Sequence, residues 1–120
     1  MNLREMVDKF DLHDSLVEKI EYYPHAKILE IYIELCNWRQ RSYNDNDPEI
    51  ISGKFIFSRV SDYLITPFAK TFDSEEILET EIISNVNDNT KMLKMVIKGM
   101  YDVKVLIINA EEVDWVINNI

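Results

Sequence analysis

The sequence predicts a mainly β protein of the α+β class, built as a single antiparallel sheet or a small sandwich of about six or seven strands with a short N-terminal helix. The strongest observation is the strict alternation of apolar and polar residues over 29–35, which is the period of a strand with one buried face. Weaker copies of this pattern follow along the chain. Apolar residues make up 47% of the 120 positions, enough for one core, so we expect a single domain over residues 1–120.

The N-terminal quarter predicts a helix followed by a hairpin. Apolar residues at helical spacing indicate a short amphipathic helix over 2–10, namely Leu3, Met6, Val7 and Phe10. Residues 16–23 and 27–36 have the character of two strands, and Pro24, His25 and Ala26 separate them. We therefore expect the two strands to pair directly.

The middle of the chain is less regular. Residues 37–52 are rich in Asn, Asp and Pro, which favour turns, and predict a loop. Strand character resumes over 54–60. We expect residues 61–67, which end at a proline, to lead away from the sheet.

The second half predicts further strands, two of them with a helical alternative. Residues 77–83 indicate a strand, although Asp73 followed by Glu76 would also suit the start of a helix over 74–83. Residues 92–98 and 103–108 indicate a second hairpin, preceded by a turn at Asn87, Asp88 and Asn89. Residues 110–119 fit either a strand or a helix, and their alternation at Val113, Trp115 and Ile117 favours a strand.

Charge limits the classes of partner. Thirteen basic and 22 acidic side chains give a net charge of −9, which repels nucleic acid and anionic membranes and favours a basic protein partner. The densest acidic block combines Asp73, Glu75, Glu76, Glu79 and Glu81. Its simplest interpretation is a solvated face that maintains solubility. Its functional interpretation is a docking surface in which Asp73, Glu75, Glu76 and Glu79 contact the partner.

Cysteine usage and the N-terminus indicate a cytoplasmic protein. Cys36 is the only cysteine, so no intrachain disulfide can form, as is usual in a reducing compartment. The first residues are charged and are not followed by an apolar segment of the signal-peptide type. One cysteine and two histidines offer no metal-ligand spacing, and we expect no metal and no cofactor.

The segment from Trp38 to Tyr43 is the strongest candidate for recognition. Trp38, Arg39, Arg41 and Tyr43 are the residue types that dominate protein interfaces, and they fall on the predicted loop. The structural alternative is that Trp38 closes one end of the core while the arginines pair with nearby acids. We expect a partner-binding role for these four residues.

His13, Asp14 and Ser15 form the other notable element. Three consecutive residues of an extended segment cannot converge as nucleophile, base and orienting group, because neighbouring side chains point to opposite faces. We interpret them as a structural motif at the corner between the helix and the first strand. The functional alternative is a small enzyme or ligand-binding domain centred on His13 and Asp14, with Tyr22 or Tyr32 lining a pocket.

The chain resembles a family of small uncharacterised bacterial proteins with an N-terminal (F/L)HDS element. The resemblance rests on residues 10–17 (Phe-Asp-Leu-His-Asp-Ser-Leu-Val), the alternating hairpin that follows, residues 55–60 and a closing Val113-Asp114-Trp115. The family includes predicted immunity proteins of polymorphic toxin systems. The resemblance implies a mostly antiparallel sheet and a protein-binding role.

These observations favour a non-enzymatic protein-binding module, and the resemblance implies an immunity protein that neutralises a basic toxin in the cytoplasm. Two alternatives stay open: the ligand-binding domain or enzyme described above, and a structural homo-oligomer joined through sheet edges. The sequence sets no oligomeric state.

Overall fold

One antiparallel sheet, closed on itself into a six-stranded barrel, dominates the computed structural model, which describes residues 1–69, 71–84 and 90–118. The elements are α1 (Leu3–Lys9), β1 (Leu16–Tyr23), β2 (Ile28–Cys36), a 3-10 turn (Asn37–Arg39), β3 (Ile50–Thr66), β4 (Glu75–Ser84), β5 (Lys91–Lys98) and β6 (Val103–Ile117). Around the barrel the strands follow the order β1-β2-β3-β6-β5-β4, and β4 returns to β1. This confirms the mainly β, antiparallel class with an N-terminal helix, while a two-layer sandwich does not form.

The predicted N-terminal helix is confirmed as α1, which a capping box begins. The Asn2 side chain accepts a hydrogen bond from the Glu5 backbone N–H at 2.8 Å, and the Glu5 carboxylate accepts one from the Asn2 N–H at 3.1 Å. Leu3 and Met6 are buried, and the helix packs against β4, β5 and β6. No helix in the described part of the chain has the length and apolar character needed to cross a membrane.

Both predicted hairpins are confirmed, as are the strands over 77–83 and 110–117. In β2 the alternating residues from Leu29 to Leu35 are buried in the core, as their period requires. The helical alternatives for the acidic segment and for the C-terminal segment are wrong, because β4 and β6 extend through them. The turn expected at Asn87, Asp88 and Asn89 lies outside the described residues.

The expectation that residues 61–67 leave the sheet is wrong. β3 continues to Thr66 and stays paired with β6. A bulge between Val60 and Asp62 shifts the register of this pairing and lets the strand bend without leaving the sheet. Arg59 provides the bend with a left-handed φ of 53°. The loop expected over 37–52 is also shorter than predicted, since it begins with a 3-10 turn and β3 starts at Ile50.

An aromatic cluster fills the space between α1 and the sheet. The rings of Phe10 and Phe55 meet edge to face with centroids 5.1 Å apart, and the Trp115 ring lies 4.7 Å from that of Phe55. Gly53 makes room for the indole, because a Cβ at Gly53 would lie 2.7 Å from the Trp115 ring and 2.6 Å from the Val116 carbonyl oxygen. This cluster fixes the segment that leads from α1 into the corner at His13.

A short seam closes the sheet. β1 and β4 pair at only two positions, Leu16 with Glu76 and Val17 with Glu75. The chain just before β1 extends this contact, because the Ile77 N–H donates to the Ser15 carbonyl at 2.8 Å and the Asp14 N–H donates to the Ile77 carbonyl at 3.0 Å. The corner that carries His13 and Asp14 is therefore held directly against β4.

Candidate functional site

The His13-Asp14-Ser15 corner is fixed by hydrogen bonds to two neighbouring strands. Ser15 is fully buried, and its Oγ accepts a hydrogen bond from the Cys36 backbone N–H at 2.9 Å. The His13 Nδ1 lies 2.7 Å from the Leu78 carbonyl oxygen, and because a carbonyl can only accept, Nδ1 carries the proton. Asp14 adopts a left-handed φ of 70°, which turns the chain from the helix into β1.

Arg39 joins this corner to the turn that follows β2. Its Nε donates to the Asp11 carboxylate at 3.3 Å, and its Nη1 donates to the Asp14 carboxylate at 3.2 Å. On its other side the guanidinium lies 5.3 Å from the centre of the Trp38 ring. Asp14 in turn lies 3.4 Å from the His13 Nε2. The two motifs that the sequence presents separately are therefore one connected site.

Gln40 fastens the same two segments at the backbone. Its side-chain oxygen accepts from the Asp11 N–H at 3.0 Å, and its amide donates to the Asp11 carbonyl at 2.7 Å and to the Cys36 carbonyl at 3.0 Å. Sequence reasoning missed Asp11 and Gln40 as members of the site. The position of Asp11 next to the His-Asp-Ser element could have indicated it, whereas nothing in the sequence distinguishes Gln40.

An open cavity of about 440 Å³ lies between this site, the end of α1 and β4. Its lining includes Lys9, His13, Arg39, Arg41 and Glu79. The His13 side chain is 46% exposed here. Arg41 is exposed and forms no ion pair with any described residue.

Ser15 and Cys36 do not line the cavity. The Ser15 hydroxyl is buried and accepts from the Cys36 N–H, and burial raises the pKa of the Cys36 thiol. Tyr22 and Tyr32 do not line the cavity, because Tyr22 packs on Tyr63 at 5.4 Å and Tyr32 lies on the outer face of β2. No three His, Cys, Asp or Glu side chains of the described residues could together hold a metal ion.

Trp38 projects from the 3-10 turn and is 48% exposed, so it does not close an end of the core. Ile50, at the start of β3, is exposed to the same extent. The Trp38 and Asn37 N–H groups both donate to the Glu49 carbonyl, at 3.3 and 2.8 Å, which places the turn beside the first residues of β3. Tyr43 is half-buried, and this burial raises the pKa of its hydroxyl.

The acidic block is divided by the sheet. Asp73 and Glu79 are exposed and Glu76 is half-buried, but Glu75 is only 6% exposed and pairs with the equally buried Lys104. The prediction that Glu75 contacts a partner is therefore corrected, because β4 directs alternate side chains inward and this carboxylate lies on the inner side with Ile77. Its counter-charge comes from β6, a pairing that the sequence does not reveal.

No protein-family model matches the chain, and no curated protein matches it.

Proposed function

We propose that this protein is a non-enzymatic protein-binding module that contacts a basic partner with the surface around Trp38. The observation that carries the proposal is a half-exposed indole on a turn that is already rigid. Arg39 and Gln40 tie this turn to the corner at Asp11 and Asp14 through four hydrogen bonds. A preordered aromatic anchor loses little conformational entropy when it is buried by a partner.

The charges around the turn support a basic partner. Glu34 and Glu49 flank the turn along β2 and at the start of β3, and neither forms an ion pair with a described residue. Glu76 lies on the same outer row, because it pairs with Leu16, which pairs with Glu34. Unpaired carboxylates around an apolar anchor attract cationic surfaces and accelerate encounter with them.

The alternative of an enzyme or ligand-binding domain has weaker support. The cavity at His13 provides space and an exposed imidazole, but the Ser15 hydroxyl and the Cys36 thiol are buried behind the corner. Asp11 and Asp14 are both engaged by Arg39, so neither carboxylate is available as an unpaired base.

The more specific form of the proposal is an immunity protein that neutralises a basic toxin in the cytoplasm. The resemblance to proteins with an N-terminal (F/L)HDS element and the net charge of −9 support it. In this role the surface around Trp38, together with Asp73, Glu76 and Glu79, would cover the toxin's site. Arg41 and Tyr43 would complete the contact from the far end of the turn.

The test uses the wild-type protein as bait in a lysate of its own organism, beside two variants. Trp38→Ala removes the proposed anchor, and Tyr23→Ala is the matched control, because Tyr23 is an aromatic residue of similar exposure at the far end of β1. We expect Trp38→Ala to weaken capture of a basic protein by about 30-fold or more, as for a central interface tryptophan. Capture should also be lost at about 1 M salt, where the Debye length is about 3 Å.

Two results would contradict the proposal. One is equal recovery of the captured protein by Trp38→Ala and Tyr23→Ala, which would place the contact elsewhere. The other is a captured protein that is acidic, or whose recovery is independent of salt.

A further inference from the structure

One part of the outer sheet surface is apolar where the fold places solvent. The pairing register between β3 and β6 sets Leu64 opposite Ile107, whereas Ile65 opposite Leu106 points into the core. The residues between the buried ones therefore face outward. On the adjoining β5, Val96 pairs with Val105, which is also on the outer side.

We call this surface the β3–β6 outer patch and define it as Leu64, Val96, Val103, Val105 and Ile107. Leu64 is 61% exposed and Val103 is 50% exposed. The connections at the same end of the sheet add the exposed side chains of Phe68, Met100 and Tyr101. Contiguous apolar surface of this kind marks an interaction site more often than scattered exposed residues do.

The outer face over β1, β2 and the first half of β3 has a different character. On β1, β2 and β3, Lys54 donates to Glu30 at 3.0 Å, and Lys19 pairs with Glu21. The ammonium groups of Lys19 and Lys54 lie 5.1 and 5.3 Å from the centre of the Tyr32 ring. Because these charges satisfy one another, that face is typical of surface exposed to water.

We propose that the β3–β6 outer patch is covered by a second copy of this chain. No residue of the patch is charged, so it offers no counter-charge to the basic partner inferred above. The surface that complements an uncharged apolar patch is another apolar patch, and an identical copy provides one.

The rim of the patch is self-complementary in charge. Lys98 on β5 and Asp62 on β3 lie at opposite borders of the patch. Neither side chain forms an ion pair with a described residue. A two-fold axis in the interface plane, between these two residues, would set Lys98 of one copy against Asp62 of the other. The arrangement is therefore isologous and closes at two copies.

The patch is small, which sets the expected strength of association. From Asp62 to Thr66 and on to the β5–β6 turn it extends about 20 Å along the strands, and the three strands extend about 10 Å across. A standard interface buries about 800 Å² per partner. We therefore expect a reversible dimer that is populated at high protein concentration.

Salt distinguishes this contact from the one proposed at Trp38. Two copies with a net charge of −9 repel each other, and this repulsion outweighs the two exposed Lys98–Asp62 contacts, so screening should strengthen the dimer. Binding of a basic partner at Trp38 should weaken under the same change. The two proposals can therefore fail independently.

The experiment measures the mass of the full chain by sedimentation up to about 1 mM protein, at about 0.05 M and about 0.5 M salt. Val103→Lys places a charge in the patch. Val116→Lys is the matched control, because it makes the same exchange at an exposed position of the same strand. Leu64→Lys repeats the test on β3, and circular dichroism checks that each variant folds.

We expect a species of twice 14.2 kDa that increases with salt. Val103→Lys and Leu64→Lys should each weaken it at least about tenfold, because an unpaired ammonium would be buried, while Val116→Lys leaves it unchanged. A single-chain mass at the highest concentration and salt would overturn the proposal. The proposal would also be overturned by a dimer that weakens with salt, by a dimer that both Val103→Lys and Leu64→Lys retain, or by an equal weakening in Val116→Lys. If Val103→Lys does not fold, the result for Leu64→Lys decides between these outcomes.

Discussion

Replacing Lys104 by methionine should destabilise the protein by about 3–5 kcal/mol, because it leaves the Glu75 carboxylate buried without a counter-charge. The two residues are each 6% exposed, and Asp102 accepts a further hydrogen bond from the Lys104 Nζ at 3.0 Å. Burial alone would lower the pKa of Lys104, but the hydrogen bonds to Glu75 and Asp102 outweigh it and raise that pKa. The lysine is therefore charged in the folded state.

The location of the pair explains why the loss should be large. Glu75 is the first residue of β4 and is paired with Val17 in the short seam that closes the sheet. For a domain of this size the total stability is about 5–15 kcal/mol, so the loss is about a fifth of it or more. At about 4 °C for each kcal/mol, the melting temperature should fall by about 12–20 °C.

Urea unfolding of three variants measures the effect. Lys104→Met should lose the full amount, whereas Lys98→Met, an exposed lysine on β5 without an ion pair, should stay within about 0.5 kcal/mol of wild type. The double variant Lys104→Met with Glu75→Leu should recover at least half of the loss, because an apolar pair avoids the unpaired charge. The reasoning is refuted if Lys104→Met and Lys98→Met unfold at the same urea concentration, or if the double variant is no more stable than Lys104→Met.

Three further predictions concern packing, pH and the candidate site. Gly53→Ala should cost about 1–3 kcal/mol by displacing the Trp115 ring, and a thermal melt with unchanged midpoint would contradict this. Stability should fall as the pH rises from 10 to about 12. A hydrogen bond to the Glu21 carboxylate raises the pKa of Tyr23 to about 12, and burial raises the pKa of Tyr63 to about 12. In this pH range the folded chain therefore keeps tyrosine protons that the unfolded chain releases, which costs stability. An ultraviolet titration in which all six tyrosines ionise together near pH 10 would refute it. Arg39→Ala should cost only about 1 kcal/mol of stability, because its partners Asp11 and Asp14 are both more than a third exposed. It should nevertheless increase backbone hydrogen exchange in the turn at residues 37–39. Unchanged exchange there would contradict the proposal that Arg39 holds the turn in place.

Local pattern was enough for much of the fold. The helix at the N-terminus and both hairpins could be predicted, because their periodicity and turn residues operate over a few neighbouring positions. The closure between β1 and β4 could not be predicted, since it depends on two residue pairs between segments far apart in the chain. The same holds for the inward position of Glu75, whose counter-charge is supplied by another strand.

The candidate site was predictable in its parts but not in its assembly. The sequence drew attention to His13 and Asp14 and, separately, to Trp38 and Arg39. Their connection through the Arg39 guanidinium requires the turn after β2 to meet the corner before β1. Gln40, which bonds both segments, has no distinguishing feature in the sequence, because its role depends only on the position of its amide.

The wrong expectation for residues 61–67 has a physical origin that bears on function. Alternation marks a strand most clearly when its outer face is polar, whereas Leu64 faces outward in β3 and is as apolar as the buried Ile65 beside it. Leu64 belongs to the β3–β6 outer patch. Natural sequences depart from local consistency mainly where another requirement operates. The loss of alternation is therefore itself a reason to expect a contact on this face, independent of the exposure of any single side chain.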